Sequence, residues 1–193
     1  MLVLDLVYED DNYAVGVVEL VNKQQKTADE IIKLASTSEK NILAVQFLDS
    51  RLVVDADHLL FATQNAINAW RGKYSITREL SLEIMVYASA QRQIGRAIEA
   101  MGIRNDLPTI ALVVVGTDKT SVEKQLKHIQ NEVGSATSDQ FSISEERLRS
   151  IMSHFNIQSK ELQTITVSNE PADIRKALSR CVVSRVSMTA LES

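Results

Sequence analysis

The sequence predicts an α+β fold, with a small, mostly antiparallel sheet packed against several helices. Short apolar runs with β-branched residues occur near the N-terminus and at 109–115, and helical periodicity follows capping residues through the rest of the chain. No internal repeat or low-complexity tract divides the 193 residues. A chain of this length buries enough surface for one core, so we expect residues 1–193 to form a single domain.

The strands are predicted from apolar runs that turn residues bound. Leu2, Leu4 and Leu6 alternate before an acidic turn, and the β-branched run 13–21 follows, so residues 1–22 are expected to form an N-terminal hairpin. Residues 42–48 and 52–54 are further strand candidates. The run 109–115, between Pro108 and Gly116, is the clearest buried strand. Residues 162–167 are a last candidate.

The helices are predicted from their start signals. Capping boxes are expected at three pairs, namely Thr27 with Glu30, Thr120 with Glu123, and Ser142 with Glu145. Asp55 is expected to cap a helix that runs to about Trp70, and two more helices follow at about 77–88 and 90–101. Residues 134–144 are expected to form a loop. Pro171 opens a final helix, and residues 182–188 either continue it or form a short strand.

Composition and the rare residue types exclude several classes of function. The net charge of −4 argues against a general nucleic-acid coat, because non-specific binding needs summed positive charge. The three histidines have no ligand-like spacing and there is a single cysteine, so we expect no metal. The start of the sequence is unlike a signal peptide and no apolar run reaches membrane-spanning length, which predicts a cytoplasmic protein.

The sequence shows no catalytic constellation. The turn Gly116–Thr120 lies between a strand and a helix but lacks the glycines and the Gly-Lys-Thr core of a phosphate-binding loop. Cys181 lies on an apolar helical stripe, which is typical of a buried thiol. We therefore expect a protein that is not an enzyme and needs no cofactor.

The stretch Ser89–Ile103 is the most distinctive. Its apolar residues recur at helical spacing and predict a buried stripe made of Ile94, Ala97, Ile98 and Met101. The other face carries planar amide and guanidinium donors, which suit phosphates and base edges: Gln91, Arg92, Gln93 and Arg96. An ordinary amphipathic helix with a solvated polar face is the alternative.

Positive charge is concentrated around this stretch. Residues 71–104 carry six bases and three acids, a local excess of three. Ser89 is expected to cap the second helix, and Tyr87 to offer a base a stacking surface. The predicted RNA-binding set is therefore Arg71, Lys73, Tyr87, Ser89, Gln91, Arg92, Gln93 and Arg96.

The segments 52–62 and 83–94, followed by Ala97-Ile98 and Gly102, resemble the small subunit of the KEOPS complex, the PRPK-binding protein (TPRKB) family, in its archaeal form. The resemblance implies a non-catalytic accessory subunit of the complex that makes threonylcarbamoyladenosine at position 37 of tRNA. It also implies two partners: the complex's small atypical kinase/ATPase, and the single-stranded 3′ CCA end of tRNA. Through the kinase, the chain would contact the catalytic subunit.

The resemblance carries over to particular residues. Ser89, Gln91, Arg92 and Gln93 match the family's motif, whereas Tyr87 stands where some relatives have a basic residue. For the kinase interface we expect exposed aliphatic side chains near the C-terminus: Val183, Val186 and Met188. The alternative, that these three complete the domain's own core, is equally open.

Three functions are compatible with the sequence. The first is an adaptor that binds tRNA and a kinase without doing chemistry. The second is a structural interaction subunit that regulates a kinase without binding RNA directly. The third is a small-molecule enzyme that uses the turn Gly116–Thr120 as an anion site.

Overall fold

A four-stranded antiparallel sheet lies between two layers of helices in the computed structural model, which describes residues 1–37, 39–168 and 170–189. The strands, in the order β1-β2-β4-β3, are β1 (Leu2–Tyr8), β2 (Asp11–Val21), β3 (Ile42–Asp49) and β4 (Thr109–Gly116). The helices are α1 (Ala28–Lys33), α2 (Ala56–Arg71), α3 (Leu80–Ser89), α4 (Ile94–Met101), α5 (Lys119–Val133), α6 (Glu145–His154), α7 (Ser159–Ile165) and α8 (Pro171–Met188). The predicted α+β class is confirmed.

Strand β4 is central, and each of its faces supports a separate core. Side chains alternate along a strand, so Val113 and Val115 join the cluster formed with α2, α3, α6 and α8. Leu112 and Val114 join the second cluster, formed with α1 and α5. Burial on both faces explains why the sequence of β4 is apolar without interruption.

Strands β1 and β2 form a hairpin at one edge of the sheet. The register runs from Leu2 opposite Val17 to Tyr8 opposite Asp11, and the turn between them places Glu9 at a φ of 51°. Residues 134–144 form no strand or helix, although Ala136 makes one isolated bridge to Leu20 in β2. This segment instead crosses from α5 to α6 beside the edge of the core.

Two predicted strands are wrong, and one open alternative is decided. Residues 162–167 belong mostly to α7 instead of a strand, and of the two alternatives for 182–188 the structure has the continued helix α8. A short apolar run has no period of its own that separates a strand from a helix, and here packing between α7 and α8 favours the helix. Residues 52–54 form a turn and an unpaired extended piece rather than a strand.

The helix starts are partly as expected. The capping box of Thr27 and Glu30 is present at α1, and Asp55 caps α2. Helix α5 is capped by Asp118 instead of Thr120, and α6 by Ser144 instead of Ser142. In both cases a side-chain oxygen two residues away from the expected cap accepts the first-turn N–H.

Helices α2 and α3 run antiparallel and form a helical hairpin, which determines the positions of the candidate residues. His58 in the first turn of α2 contacts the carbonyl of Ala88 near the end of α3. At the other end, the carboxyl group of Glu83 accepts hydrogen bonds from the backbone N–H groups of Ile76 (3.1 Å) and Thr77 (2.7 Å). The hairpin therefore has a motif end, where α3 passes into α4, and a loop end, formed by residues 72–79.

Candidate nucleic-acid interface

The start of α4 is an open helix N-terminus. The loop from α3 turns at Ala90, which has a φ of 51°, and Gln93 occupies the N-cap position without a side-chain hydrogen bond to the helix. The first backbone N–H to pair within α4 is that of Ala97, which donates to Gln93. A Cβ added at Gly95 would meet nothing within 4 Å, so the first turn is open to solvent. Such a terminus carries partial positive charge and free donors.

Four of the predicted residues surround this helix start. Gln93 and Arg96 are exposed, and Gln91 and Arg92 are half-buried. The Nη1 atom of Arg92 donates to the carbonyl of Thr189, just after α8, at 2.9 Å. Arg92 therefore anchors the loop to the end of α8, while the other three side chains remain available on the surface.

Tyr87 and Ser89 do not lie on this surface, contrary to the sequence prediction. Ser89 is fully buried, and its hydroxyl donates to the carbonyl of Val86 (3.1 Å) instead of capping α4. Tyr87 is 2% exposed. Its pKa is raised to about 12, mainly by burial and to a smaller extent by the nearby charge of Glu83. Helix α3 is enclosed by α2, α4, α8 and β3, so its side chains have little access to solvent.

Two histidines hold the end of α3 at the motif end. Nε2 of His58 donates to the carbonyl of Ala88 (2.8 Å), and Nε2 of His154 donates to that of Ser89 (2.9 Å). Both rings meet Phe155 edge to face, with centroids 5.5 and 4.6 Å away. His58 is fully buried, and this burial lowers its pKa to about 4, which keeps the ring neutral near pH 7. No spacing in the sequence indicates this arrangement.

Arg71 and Lys73 lie at the loop end of the hairpin, away from the other predicted residues. The 13 helical steps from His58 to Arg71 correspond to about 20 Å along α2. Arg71 forms an ion pair with Asp11 in the β1–β2 turn, and its guanidinium lies 5.9 Å from the centroid of the Tyr8 ring. Lys73 is exposed. The structure therefore divides the predicted RNA-binding set between two sites.

The predicted kinase-interface residues do not form one surface. Val186 is fully buried, because α8 turns that position into the core, so for this residue the alternative of completing the domain's own core is correct. Val183 is half-buried in a groove of about 480 Å³ between α2 and α8, beside Phe61. Met188, 48% exposed, lines a different groove of about 460 Å³, beside Gln91.

An apolar groove on the other side of α4 was not expected from the sequence. Ala97 and Met101 are buried as predicted, but Ile94 and Ile98 are 36% and 50% exposed. Ile98 lines a groove of about 460 Å³ that also contains Ile32 and reaches β3. The helical period identified α4 correctly, while only half of its apolar stripe enters the core.

The remaining candidate chemistry is not supported by the geometry. Within residues 1–37, 39–168 and 170–189, no group of three or more His, Cys, Asp or Glu side chains is placed to hold a metal ion. In the turn Gly116–Thr120, Asp118 caps α5 and Lys119 pairs with Asp5 at 2.8 Å. Cys181 is buried, and desolvation raises the pKa of its thiol. Among the helices described, none is long and apolar enough to cross a bilayer.

The comparisons with known proteins agree with the resemblance in the sequence. A family model described as kinase binding protein CGI-121 matches residues 20–190, which begin in the last part of β2 and include all of α1 to α8. The match leaves β1 and most of β2 outside. No curated protein matches the chain. The family is named for binding a kinase and not for a reaction. Because the model covers most of the sequence, the chain belongs to the CGI-121 family of kinase binding proteins.

Proposed function

We propose that this chain is a non-catalytic accessory subunit of the KEOPS complex, acting in the cytoplasm in the synthesis of threonylcarbamoyladenosine in tRNA. In this role it binds the small kinase/ATPase of the complex and the 3′ CCA end of tRNA. The observation that carries the proposal is the open N-terminus of α4, with amide and guanidinium side chains around it, in a chain of the kinase-binding family.

The proposed RNA contact is small and centred on Gln91, Gln93 and Arg96. Their planar donors, with the free N–H groups of the first turn of α4, fit phosphate oxygens and the edges of unpaired bases. Few phosphates would be neutralised at such a site, which is consistent with a net charge of −4. A short single-stranded end fits this footprint better than a long duplex.

For the kinase we propose the groove between α2 and α8. Phe61 is 49% exposed and, with Val183, forms an apolar centre. Charged side chains surround it, namely those of Asp55, Asp57, Arg175, Lys176 and Arg180. An apolar centre with a polar rim is the usual anatomy of a protein interface.

One observation favours a second function, that of a structural subunit without direct RNA contact. Arg92, a motif residue, is bound to the carbonyl of Thr189 and so has a role within the fold. If the arginine of the motif serves to connect the loop before α4 to the end of α8, this role in the fold accounts for its presence without any contact to RNA.

The RNA proposal is tested by titrating the purified chain with one tRNA, with and without its CCA end, at two salt concentrations. We expect binding to need the CCA end, with a slope of log affinity against log salt of about −0.7 for each phosphate neutralised. Equal binding of the two RNAs would contradict recruitment by the tail. No binding of either by a folded chain would favour the structural subunit.

The kinase proposal is tested by a pair of matched substitutions on exposed apolar residues. Phe61→Asp is expected to weaken kinase binding at least tenfold, because it places a carboxylate in the apolar centre of the groove. Ile98→Asp, at an equally exposed position on α4, is expected to leave binding unchanged. The reverse result would move the kinase to the groove beside α4.

A further inference from the structure

A cavity of about 430 Å³ lies where the end of α4 meets the end of β3 and the start of α6. It is separate from the open start of α4, and the RNA and kinase proposals use none of its residues. Three arginines and two buried acidic side chains lie in or beside it.

Asp49 organises this cavity. Its side chain is 1% exposed, and it accepts hydrogen bonds from Nε of Arg51 (3.0 and 3.1 Å) and from Nη2 of Arg104 (3.0 Å). Burial disfavours the charged carboxylate, but the donors of Arg51 and then Arg104 outweigh it and hold the pKa of Asp49 below its ordinary value. One buried carboxylate therefore fixes two guanidinium groups from distant parts of the chain.

The two arginines held by Asp49 differ from the third. Arg147 is 12% exposed, and its donors are taken by Glu19 and by the carbonyls of Ser50, Val53 and Ser142. The side chains of Arg51 and Arg104 are 53% and 59% exposed. Within the described part of the chain, Asp49 is the only hydrogen-bond partner of either guanidinium, so each keeps donors free toward the cavity.

We propose that this cavity binds a phosphate group. Guanidinium groups match phosphate oxygens with pairs of parallel hydrogen bonds, and a fixed pair loses little side-chain entropy on binding. The exposed Ser142 lies in the same wall. The carboxylate of Glu146 is also at the rim and offsets one positive charge, so the free donors, rather than net charge, provide the selectivity.

The phosphate has two possible sources, an RNA backbone or a free phosphorylated compound. Ala100 lines the cavity one helical turn beyond Arg96, on the same side of α4. A strand bound at the start of α4 and running along this side would reach the cavity. The inference does not require that path, because a phosphate site is tested without RNA.

The first arm uses inorganic phosphate and the full chain, with sodium chloride at equal ionic strength as reference. By calorimetric titration, Arg104→Gln is expected to weaken phosphate binding about tenfold, while Asp49 keeps its pairing with Arg51. The matched control is Arg149→Gln, which removes an exposed arginine whose ion pair is with Glu145. Equal affinity in the wild type and Arg104→Gln, or no phosphate binding by the wild type, would overturn the inference.

A second variant tests the site if Arg104→Gln does not fold stably. Ser142→Asp leaves the Asp49 ion pairs intact and places a negative charge at the cavity rim, so it is also expected to weaken phosphate binding at least tenfold. Unchanged phosphate binding in this variant contradicts the site.

The second arm repeats the tRNA titration with Arg104→Gln. A salt slope reduced by about 0.7 assigns the phosphate to the RNA backbone, and an unchanged slope alongside weakened phosphate binding assigns it to a free compound. If the wild-type chain did not bind tRNA at all, the adaptor proposal would be refuted, but the phosphate titration would still test the cavity.

Discussion

The two ends of the α2–α3 hairpin are built alike but present different surfaces. Each end contains a fully buried polar side chain that bonds to backbone groups, His58 at the motif end and Glu83 at the loop end. The motif end leads into the open start of α4. At the loop end, Arg71, one of the two predicted RNA-binding residues there, is already paired with Asp11. Counting basic residues along the sequence therefore overestimates the size of the binding surface. Residues that are close in sequence lie at opposite ends of the antiparallel hairpin, one helix length apart.

The largest effect is expected from removing the anchor of the loop end. Glu83→Ala leaves the N–H groups of Ile76 and Thr77 without their acceptor in a site that is 0% exposed. Unsatisfied buried donors are costly, and we expect a loss of about 3 kcal/mol in the free energy of unfolding. Urea denaturation measures it, with the exposed Glu99→Ala as the control that changes little. Equal effects of the two substitutions would show that the carboxyl group of Glu83 does not anchor the loop.

The motif end is expected to differ from the loop end because its contribution to the free energy of unfolding depends on pH. The unfolded His58 takes up a proton near pH 6.5, but in the folded chain burial holds its pKa at about 4. Between these values the unfolded state binds more protons, so the free energy of unfolding falls as pH falls from 6.5 to 4, by about 3 kcal/mol in total. Above pH 6.5 this contribution is constant.

The control for this prediction is His58→Gln. An amide can still donate to the carbonyl of Ala88 but does not titrate. Urea denaturation at several pH values is expected to show a steeper loss of stability in the wild type than in the variant. Parallel curves for the two proteins would mean that His58 is not the group responsible.

The sequence and the structure agree where a pattern has one physical cause. The sequence predicts the buried run of β4 and the capping box at Thr27 correctly, because packing or a local hydrogen bond is sufficient to specify them. The stripe of α4 was only half identified, since the period locates a helix but not the boundary of the core around it, and Ile94 and Ile98 lie outside that boundary. The sequence predicts that Tyr87 offers a base a stacking surface, yet neighbours distant in sequence bury its ring.

The histidines and the cavity at Asp49 show what a single sequence does not contain. His58 and Ala88 are 30 residues apart, and Asp49 and Arg104 are 55 apart. Neither spacing belongs to a local motif, so only the fold brings these pairs together. Sites assembled in this way are found from the structure, whereas the start of α4 was found from the sequence because its residues are consecutive.

A smaller effect is expected for RNA binding, where the two ends are compared directly. Arg96→Gln, at the start of α4, is expected to weaken tRNA binding at low salt and reduce the salt slope by about 0.7, the value for one phosphate contact. Lys73→Gln removes the same charge at the loop end and is expected to change neither quantity. Filter binding at several salt concentrations measures both. An equal loss in the two variants would return Lys73 to the RNA surface and contradict the division of the predicted set.

The smallest effect is expected for Arg71, whose role we assign to the fold. Arg71→Gln removes the ion pair with Asp11 and the contact with Tyr8, and partly exposed pairs of this kind contribute at most about 1 kcal/mol. A double-mutant cycle with Asp11→Asn isolates the free energy of the ion pair from the other contacts of Arg71. Once one substitution has removed the ion pair, the other substitution no longer loses it. The coupling free energy is expected to shrink in 1 M salt, where charges on the surface are screened. If Arg71→Gln instead left stability intact and weakened tRNA binding, the loop end would be a second RNA site, and the ion pair with Asp11 would have to open when RNA binds.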